Sequence, residues 1–414
     1  MGISAFWLGI NLHWAALLMI IVPAQIEEIA PASKAQTLGA VVGYTAVVAA
    51  FVPLIVGSLS DRCRSRWGRR RPYMVAGVAV NLVGLLTLYA AGALRNLALY
   101  VLGYVVCQLG NNIATGSYCG VIPDMVPEGQ RGESSGYMAV MTQVGTVLGA
   151  LGAGVLMSGG HAAASFFMIA AVLVASLVIS CLSMREAPLR AAPKPVSLKQ
   201  FLCGLWIDPR RHPDFAWVWL TRALVTMSLW TVQEFLQYFI GDMNNVADKE
   251  MTAGYVLTVS LVGATFAGLI GGKISDSIGR KPVVYASNAI MAVTALALAA
   301  SHTLMTTYVV AAAYGIGYGA YCSVDWALGC DVLPDKEGTA AKDMGIWHIS
   351  MTLPQTLAVP LAGAVLACFS HLSRGSGGEM IAHYSRAGYA CLFGLTALYV
   401  VAAGILLRNV RGVR

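Results

Sequence analysis

Charge is scarce in this sequence. Of 414 residues, 11% are Asp, Glu, Lys or Arg, against roughly 25% in an ordinary soluble domain. So few charges cannot cover a soluble surface of this size, which excludes a cytosolic enzyme. A hydrophobic content of 57% excludes a disordered chain. The nine cysteines include no Cys-x-x-Cys pair. Seven lie in apolar stretches, with Cys63 and Cys203 in basic loops. Neither a zinc site nor a disulfide framework is expected, and no metal is. A Walker A loop is also absent, so no nucleotide cofactor is implied. The opening MGISAFWLGINLHWAALLMIIVPAQI has no charged leader region and no A-x-A site. It is predicted to stay as a first membrane helix. Glycine is plentiful, at 44 residues, but without a fixed period. That excludes a collagen-like repeat and favours close helix–helix contact.

Long apolar runs are what the chain does have. Crossing a bilayer takes about 20 mostly apolar residues. Twelve such stretches occur, over 4–26, 36–59, 73–94, 97–123, 134–157, 163–183, 214–240, 251–272, 282–301, 304–333, 343–369 and 385–407. The longest loop, 184–213, is rich in Pro and basic residues. It reads as a cytoplasmic connector between two halves, 1–183 and 214–414, with Leu198–Trp206 as a short helix on the membrane surface. The net charge of +7 would suit nucleic acid, but the basic residues cluster between apolar runs, so they are read as a topology signal. With both termini inside, 21 of the 27 Lys and Arg residues fall on the cytoplasmic side and 5 outside, and Arg222 lies within a span. That bias orients the chain in a plasma membrane with both termini cytoplasmic. No nucleic-acid partner is expected.

The halves repeat one another. The second span ends GSLSDRCRSRWGRRRPYM and the eighth ends GGKISDSIGRKPVVY, placing Asp276 215 residues after Asp61. VIPDMVPEGQRG after span 4 matches VLPDKEGTAAKD after span 10, placing Asp335 211 residues after Asp124. Two six-span halves in the same orientation imply parallel repeats, with a site near the bilayer midplane.

The motif G-x-x-x-D-R followed by G-R-R/K, here Gly57, Asp61, Arg62, Gly68, Arg69 and Arg70, resembles the signature loop of the major facilitator superfamily. The resemblance covers the whole chain. It implies an all-α integral membrane protein of twelve transmembrane helices in two six-helix pseudo-repeats. It also assigns gating roles to Gly57, Asp61, Arg62, Arg69, Arg131, Asp276 and Arg280. Gly57 is expected to let span 2 lie close to a helix of the other half. Asp61 is expected to pair with Arg131, and Asp276 with a base near Lys342. The arginine cluster also suits anionic lipid headgroups. The six-residue insert between Asp61 and Gly68 resembles the sucrose-transporter branch and the related glycoside–pentoside–hexuronide symporters. That implies sugar transport coupled to protons. Two features depart from those relatives. Span 4 has no charge before Asp124, and spans 1 and 2 have no Asp before Asp61 to match a melibiose-type sodium site.

Spans 1, 4, 7 and 10 line the cavity in that superfamily, and here they carry polar faces. At roughly 100° per residue, Asn11 and Trp14 align with Trp7 and Gln25 on span 1. Gln108 and Asn111 align on span 4. Arg222, Thr226 and Gln233 align on span 7, and Tyr314, Tyr318, Tyr321 and Asp325 on span 10. On span 11, His348, Thr352 and Gln355 do so. Aromatic faces, amides and carboxylates suit a sugar, whereas polar glue between packed helices is the competing reading. Trp7 and Trp206 read as interfacial anchors, and His13, off the polar face, as packing. The intramembrane charges are functional hypotheses by default. Either Arg222 anchors substrate while Asp325, Glu234 or His348 carries a proton, or Arg222 and Asp325 form an ion pair joining spans 7 and 10. His371 and His383, in the last outside loop, show no metal spacing.

These residues together predict a monomeric secondary carrier. It moves a small polar solute, a sugar or glycoside, by alternating access with a coupling proton, amid membrane lipids. The alternatives are an exporter of an amphipathic compound and a non-transporting assembly or pigment-delivery protein.

Overall fold

The structure is a computed structural model describing residues 2–121, 125, 131–184, 186, 208–244, 246, 248–332, 340–374 and 378–411. Within its helices the side chains at 131–136, 139, 269, 272, 276, 326–327, 330–331, 340–345 and 348 lie outside the description. The expected surface helix at Leu198–Trp206, Asp124 and Asp335 also fall outside the described residues.

Long helices follow one another along the chain. In the first half they are span 1 (Gly2–Ile29), span 2 (Pro31–Asp61), span 3 (Arg71–Ala93), span 4 (Leu97–Tyr118), span 5 (Arg131–Ser158) and span 6 (Ala162–Ser183). In the second half they are span 7 (Pro213–Asn244), span 8 (Lys249–Ile278), span 9 (Arg280–Ala299), span 10 (Leu304–Asp331), span 11 (Ala340–Ala367) and span 12 (Arg386–Leu407). Among the described residues, 11 of them are long and apolar enough to cross a membrane. The tenth, a helix of 28 residues, stands where the sequence places the remaining span. Several helices outrun their apolar windows: span 7, expected over 214–240, continues to Asn244, and span 8, expected over 251–272, continues to Ile278. Each added residue gains a backbone hydrogen bond once the helix exists, so polar ends stay helical where hydropathy has already fallen.

Local chemistry sets the ends and breaks. Asn96 and Thr303 accept from Leu99 N and Thr306 N at the starts of spans 4 and 10. Ser385 accepts from Gly388 N at the start of span 12. Span 1 opens into one π-type turn, Leu17–Ile21, just before Pro23. Proline has no N–H and its ring crowds the carbonyl four residues back, and a widened turn accommodates both. The glycines that close the repeated motif, Gly68 and Gly279, have φ of 104° and 94°, a region side chains rarely adopt. One element departs from the all-α expectation. Strands β1 (Ser370–Arg374) and β2 (Met380–Tyr384) form a two-stranded sheet between spans 11 and 12.

The chain gathers into two compact units. Unit 1 is Met1–Lys194, Ala247–Tyr255 and Arg374–Ile381; unit 2 is Pro195–Val246, Val256–Ser373 and Ala382–Arg414. In unit 1, Phe6, Ile10, Met74, Val78, Ala114, Tyr118, Leu173 and Leu177 form an apolar core. Trp7, expected as an interfacial anchor, stacks on Tyr118 at 5.8 Å between ring centres. Spans 3 and 4 touch backbone to backbone: a Cβ added to Gly77 would lie 2.7 Å from Gly110 O, and one on Gly110 would lie 2.6 Å from Gly77 O. Small residues allow such approach in lipid, where packing replaces the hydrophobic effect as the driving force between helices.

Candidate solute site and gate

Span 7 is buried on nearly every side from Thr221 to Ile240. A helix enclosed in this way must find partners for its polar groups inside the bundle. Arg222, 7% exposed, does so with Asp325, Trp347 and Met351, whose Sδ lies 3.9 Å from its Nη2. Its Nε lies 3.0 Å from Asp325 Oδ2 on span 10. Its Nη1 donates to Trp347 O on span 11 at 3.2 Å, and its guanidinium carbon lies 4.5 Å from the centre of the Trp347 ring. Tyr321, one turn before Asp325, donates its hydroxyl to Asp325 Oδ1 at 2.9 Å. The spacing of four puts these two side chains one above the other on a helix. Around this cluster Trp219 Nε1 donates to Ile346 O at 2.9 Å, and Ser228 Oγ meets Tyr314 Oη at 3.0 Å. Spans 7, 10 and 11 are thus joined by polar contacts centred on one ion pair.

Twelve residues beyond Arg222, Glu234 is fully buried, and neither carboxylate oxygen has a hydrogen-bond partner among the described residues. An ionised carboxylate in such surroundings costs several kcal/mol. Gln233 is buried beside it, while Tyr318 and Gln355 are half-buried. The side chain of His348 lies outside the described residues.

Unit 1 holds the other polar faces. Asn11 Nδ2 donates to Trp7 O at 2.7 Å, and Trp14 sets its ring edge-on to His13 at 5.0 Å. Gln108 and Asn111 are buried. Asn111 Nδ2 lies 3.4 Å from Thr115 Oγ1, while Gln108 Oε1 has no partner among the described residues. No hydrogen bond among them joins Asn11 or Trp14 to Gln108 or Asn111. His13 has company that the sequence did not reveal. Its Nε2 lies 3.3 Å from Cys107 Sγ and 3.2 Å from Asn81 Nδ2, and Asn81 donates to Cys107 O at 2.9 Å. This knot ties spans 1, 3 and 4.

At the motif loop, Asp61 pairs with Arg70. Arg70, 4% exposed, also donates through Nη1 to Ser60 Oγ and, at 3.4 Å, to Gly57 O. Its backbone N–H donates to Glu186 Oε1 at 3.1 Å. Arg62 and Arg69 are half-buried in the same loop. The side chains of Arg131 and Asp276, expected in the gate, lie outside the described residues. The approach seen at Gly57 is to Gly116 O of span 4 in the same unit, 3.3 Å from an added Cβ. In the second copy, Lys281 takes the place of Arg70, two residues after its glycine, and donates to Val410 O. Arg280 is half-buried beside it. The arginine that holds Asp61 was hidden among six basic residues in ten positions, which sequence alone cannot rank.

Among known proteins, the chain is 31% identical over 159 residues to the sucrose transport protein SUC4 of Arabidopsis thaliana. That match covers 34% of this chain and 30% of the relative. It is 27% identical over 293 residues to the multidrug resistance protein MdtG of Yersinia enterocolitica, covering 68% of this chain and 66% of the relative. The first curated relatives are therefore matched over only 26–30% of their own length. The fold is like that of the nucleoside transporter NupG, with a TM-score of 0.70 and 14% identity, covering 99% of this chain and 98% of that one. The sequence profile of the Major Facilitator Superfamily matches residues 5–340 and 243–412. With matches that run from the first span to the last, this chain belongs to the Major Facilitator Superfamily.

Proposed function

We propose that the chain is a secondary active transporter that moves a sugar or glycoside by alternating access, coupled to protons. It would act as a monomer in the plasma membrane with both termini in the cytoplasm. The observation that carries this reading is the Arg222–Asp325 pair, braced by Tyr321 and Trp347 inside an apolar bundle. A buried ion pair adds little stability over packed apolar residues, so its presence calls for a task. A guanidinium, a carboxylate, a phenol and an indole face are the groups that bond hydroxyls and cover the C–H faces of a pyranose. In this reading Asn11, Trp14, Gln108 and Asn111 within unit 1 are also solute-binding residues, and so, taken separately, are Gln233, Tyr318 and Gln355 within unit 2. Glu234 carries the proton: enclosed, it is tolerated as the neutral acid, and opened to water it can release the proton. His348 is the second candidate for that role. The names of the sucrose relatives support the substrate class.

Proteoliposomes with a pH-sensitive dye inside test this directly. A panel of mono- and disaccharides is added one at a time, with radiolabelled sugar exchange measured in parallel. One sugar should drive a saturable proton influx. Glu234→Gln should abolish proton movement and keep sugar exchange, whereas Asp325→Asn should abolish both. Folded protein that moves neither protons nor any sugar would defeat the proposal. In that case export of an amphipathic compound becomes the leading reading, because the MdtG relative aligns over two thirds of the chain.

A further inference from the structure

The hairpin between spans 11 and 12 brings together two histidines 12 positions apart in sequence. Ser385 N donates to Phe369 O at 3.2 Å, which fixes the register of β1 and β2. Two steps along each strand, His371 stands directly opposite His383, on the same face of the sheet. Their ring centres are 5.9 Å apart and the rings are tilted by 30°. An imidazole nitrogen binds Zn2+ at about 2.0–2.1 Å. Two rings sharing one ion therefore have centres about 5.2 Å apart at the tetrahedral angle and at most about 6.4 Å apart in line. The observed separation lies inside that window.

A second, independent feature prepares one of the rings. Asp242, at the end of span 7, holds His383 Nδ1 at 2.9 Å. The same carboxylate accepts from Tyr384 N at 3.2 Å and from Tyr389 Oη at 2.7 Å, so its own position is fixed. A neutral His383 whose Nδ1–H is given to Asp242 presents the lone pair of Nε2 outward. This is the carboxylate–histidine arrangement that fixes the tautomer and orientation of metal-ligating imidazoles. The side chain of His371 is exposed and makes no hydrogen bond among the described residues, so its ring can turn to bring the second nitrogen in.

We infer that His371 and His383, braced by Asp242, bind a divalent transition-metal ion at the hairpin. No set of three His, Cys, Asp or Glu side chains converges on one point among the described residues, so water fills the remaining positions of the ion. Two imidazoles select Cu2+, Ni2+ or Zn2+ and leave Mg2+ and Ca2+, which take oxygen ligands, unbound. The bound ion would clip β1 to β2, and through Asp242 to the end of span 7.

Titration calorimetry on full-length protein in nanodiscs, with any affinity tag removed, tests the site using NiCl2 and ZnCl2. One ion should bind per chain, in competition with a chelator, with Cu2+ tighter and MgCl2 giving no heat. His371→Ala changes an exposed side chain and should weaken binding at least about tenfold. Asp242→Asn should weaken it by roughly 10–100-fold, and His302→Ala, elsewhere on the chain, should leave it unchanged. If wild-type protein shows no saturable binding, or if His371→Ala binds as tightly as wild type, the inference fails. A circular dichroism spectrum matching wild type separates loss of the site from loss of the fold.

Discussion

Removing one member of the Arg222–Asp325 pair leaves the other buried without a counter-charge. Such truncations cost about 3–5 kcal/mol, whereas replacing both partners with apolar residues is often neutral. Arg222→Met and Asp325→Leu, each alone, should lower the thermal unfolding midpoint in detergent markedly, and the double variant should recover most of that loss. The recovered double variant should still be inactive in solute exchange. If it transports like wild type, the pair is a structural clasp and the solute site lies elsewhere. At this scale the sequence was partly legible. Arg222, Asp325 and Glu234 declared themselves as charges inside apolar spans. Trp347 and Met351, which also meet the guanidinium, did not. An aromatic or a methionine in a membrane helix is indistinguishable from lipid-facing surface until its neighbours are known. Asn81 and Cys107 were silent for the same reason: their polarity is turned inward to His13.

Among the elements, glycine decides which helices can touch. An added Cβ at Gly110 meets the backbone of Asn81 and Gly77 on span 3, while at Gly394 it meets nothing within 4 Å. Gly110→Ala should therefore destabilise by about 1–3 kcal/mol through overpacking, while Gly394→Ala should be neutral, as read by thermal unfolding. Equal behaviour of the two variants would mean that spans 3 and 4 do not pack in this register. Gly68→Ala carries a different penalty. Its φ of 104° is strained for alanine, and the new methyl would meet Glu186, the acceptor for Arg70 N. A loss of at least about 1–2 kcal/mol is expected, with protection of the 61–70 loop from proteolysis lost first. The helices themselves were legible because each repeats one physical requirement, about 20 apolar residues in lipid. The β1–β2 hairpin was not. SHLSR and MIAHY are short and only weakly alternating, and their pairing rests on register set by Phe369 and Ser385. The same blindness hid the meeting of His371 and His383.

On the scale of the whole molecule, sidedness is the property everything else depends on. On the proposed topology, with both termini inside, the 61–70 loop faces the cytoplasm and the hairpin after span 11 faces outside. Two native cysteines report on those positions: Cys63 lies in the loop between spans 2 and 3, and Cys368 lies just past the end of span 11. Cys368 is exposed and Cys63 half-buried, while Cys107, Cys119, Cys181, Cys322 and Cys391 belong to the apolar stretches. Variants that keep only Cys63 or only Cys368 can be treated, in intact cells, with a maleimide that does not cross membranes. The Cys368 variant should label at once. The Cys63 variant should label only after permeabilisation, and more slowly, because its thiol is partly covered. The opposite pattern would invert the protein in the membrane. It would move the Asp61–Arg70 pair to the outer face and turn the histidine pair toward a cytoplasm where free transition metals are scarce.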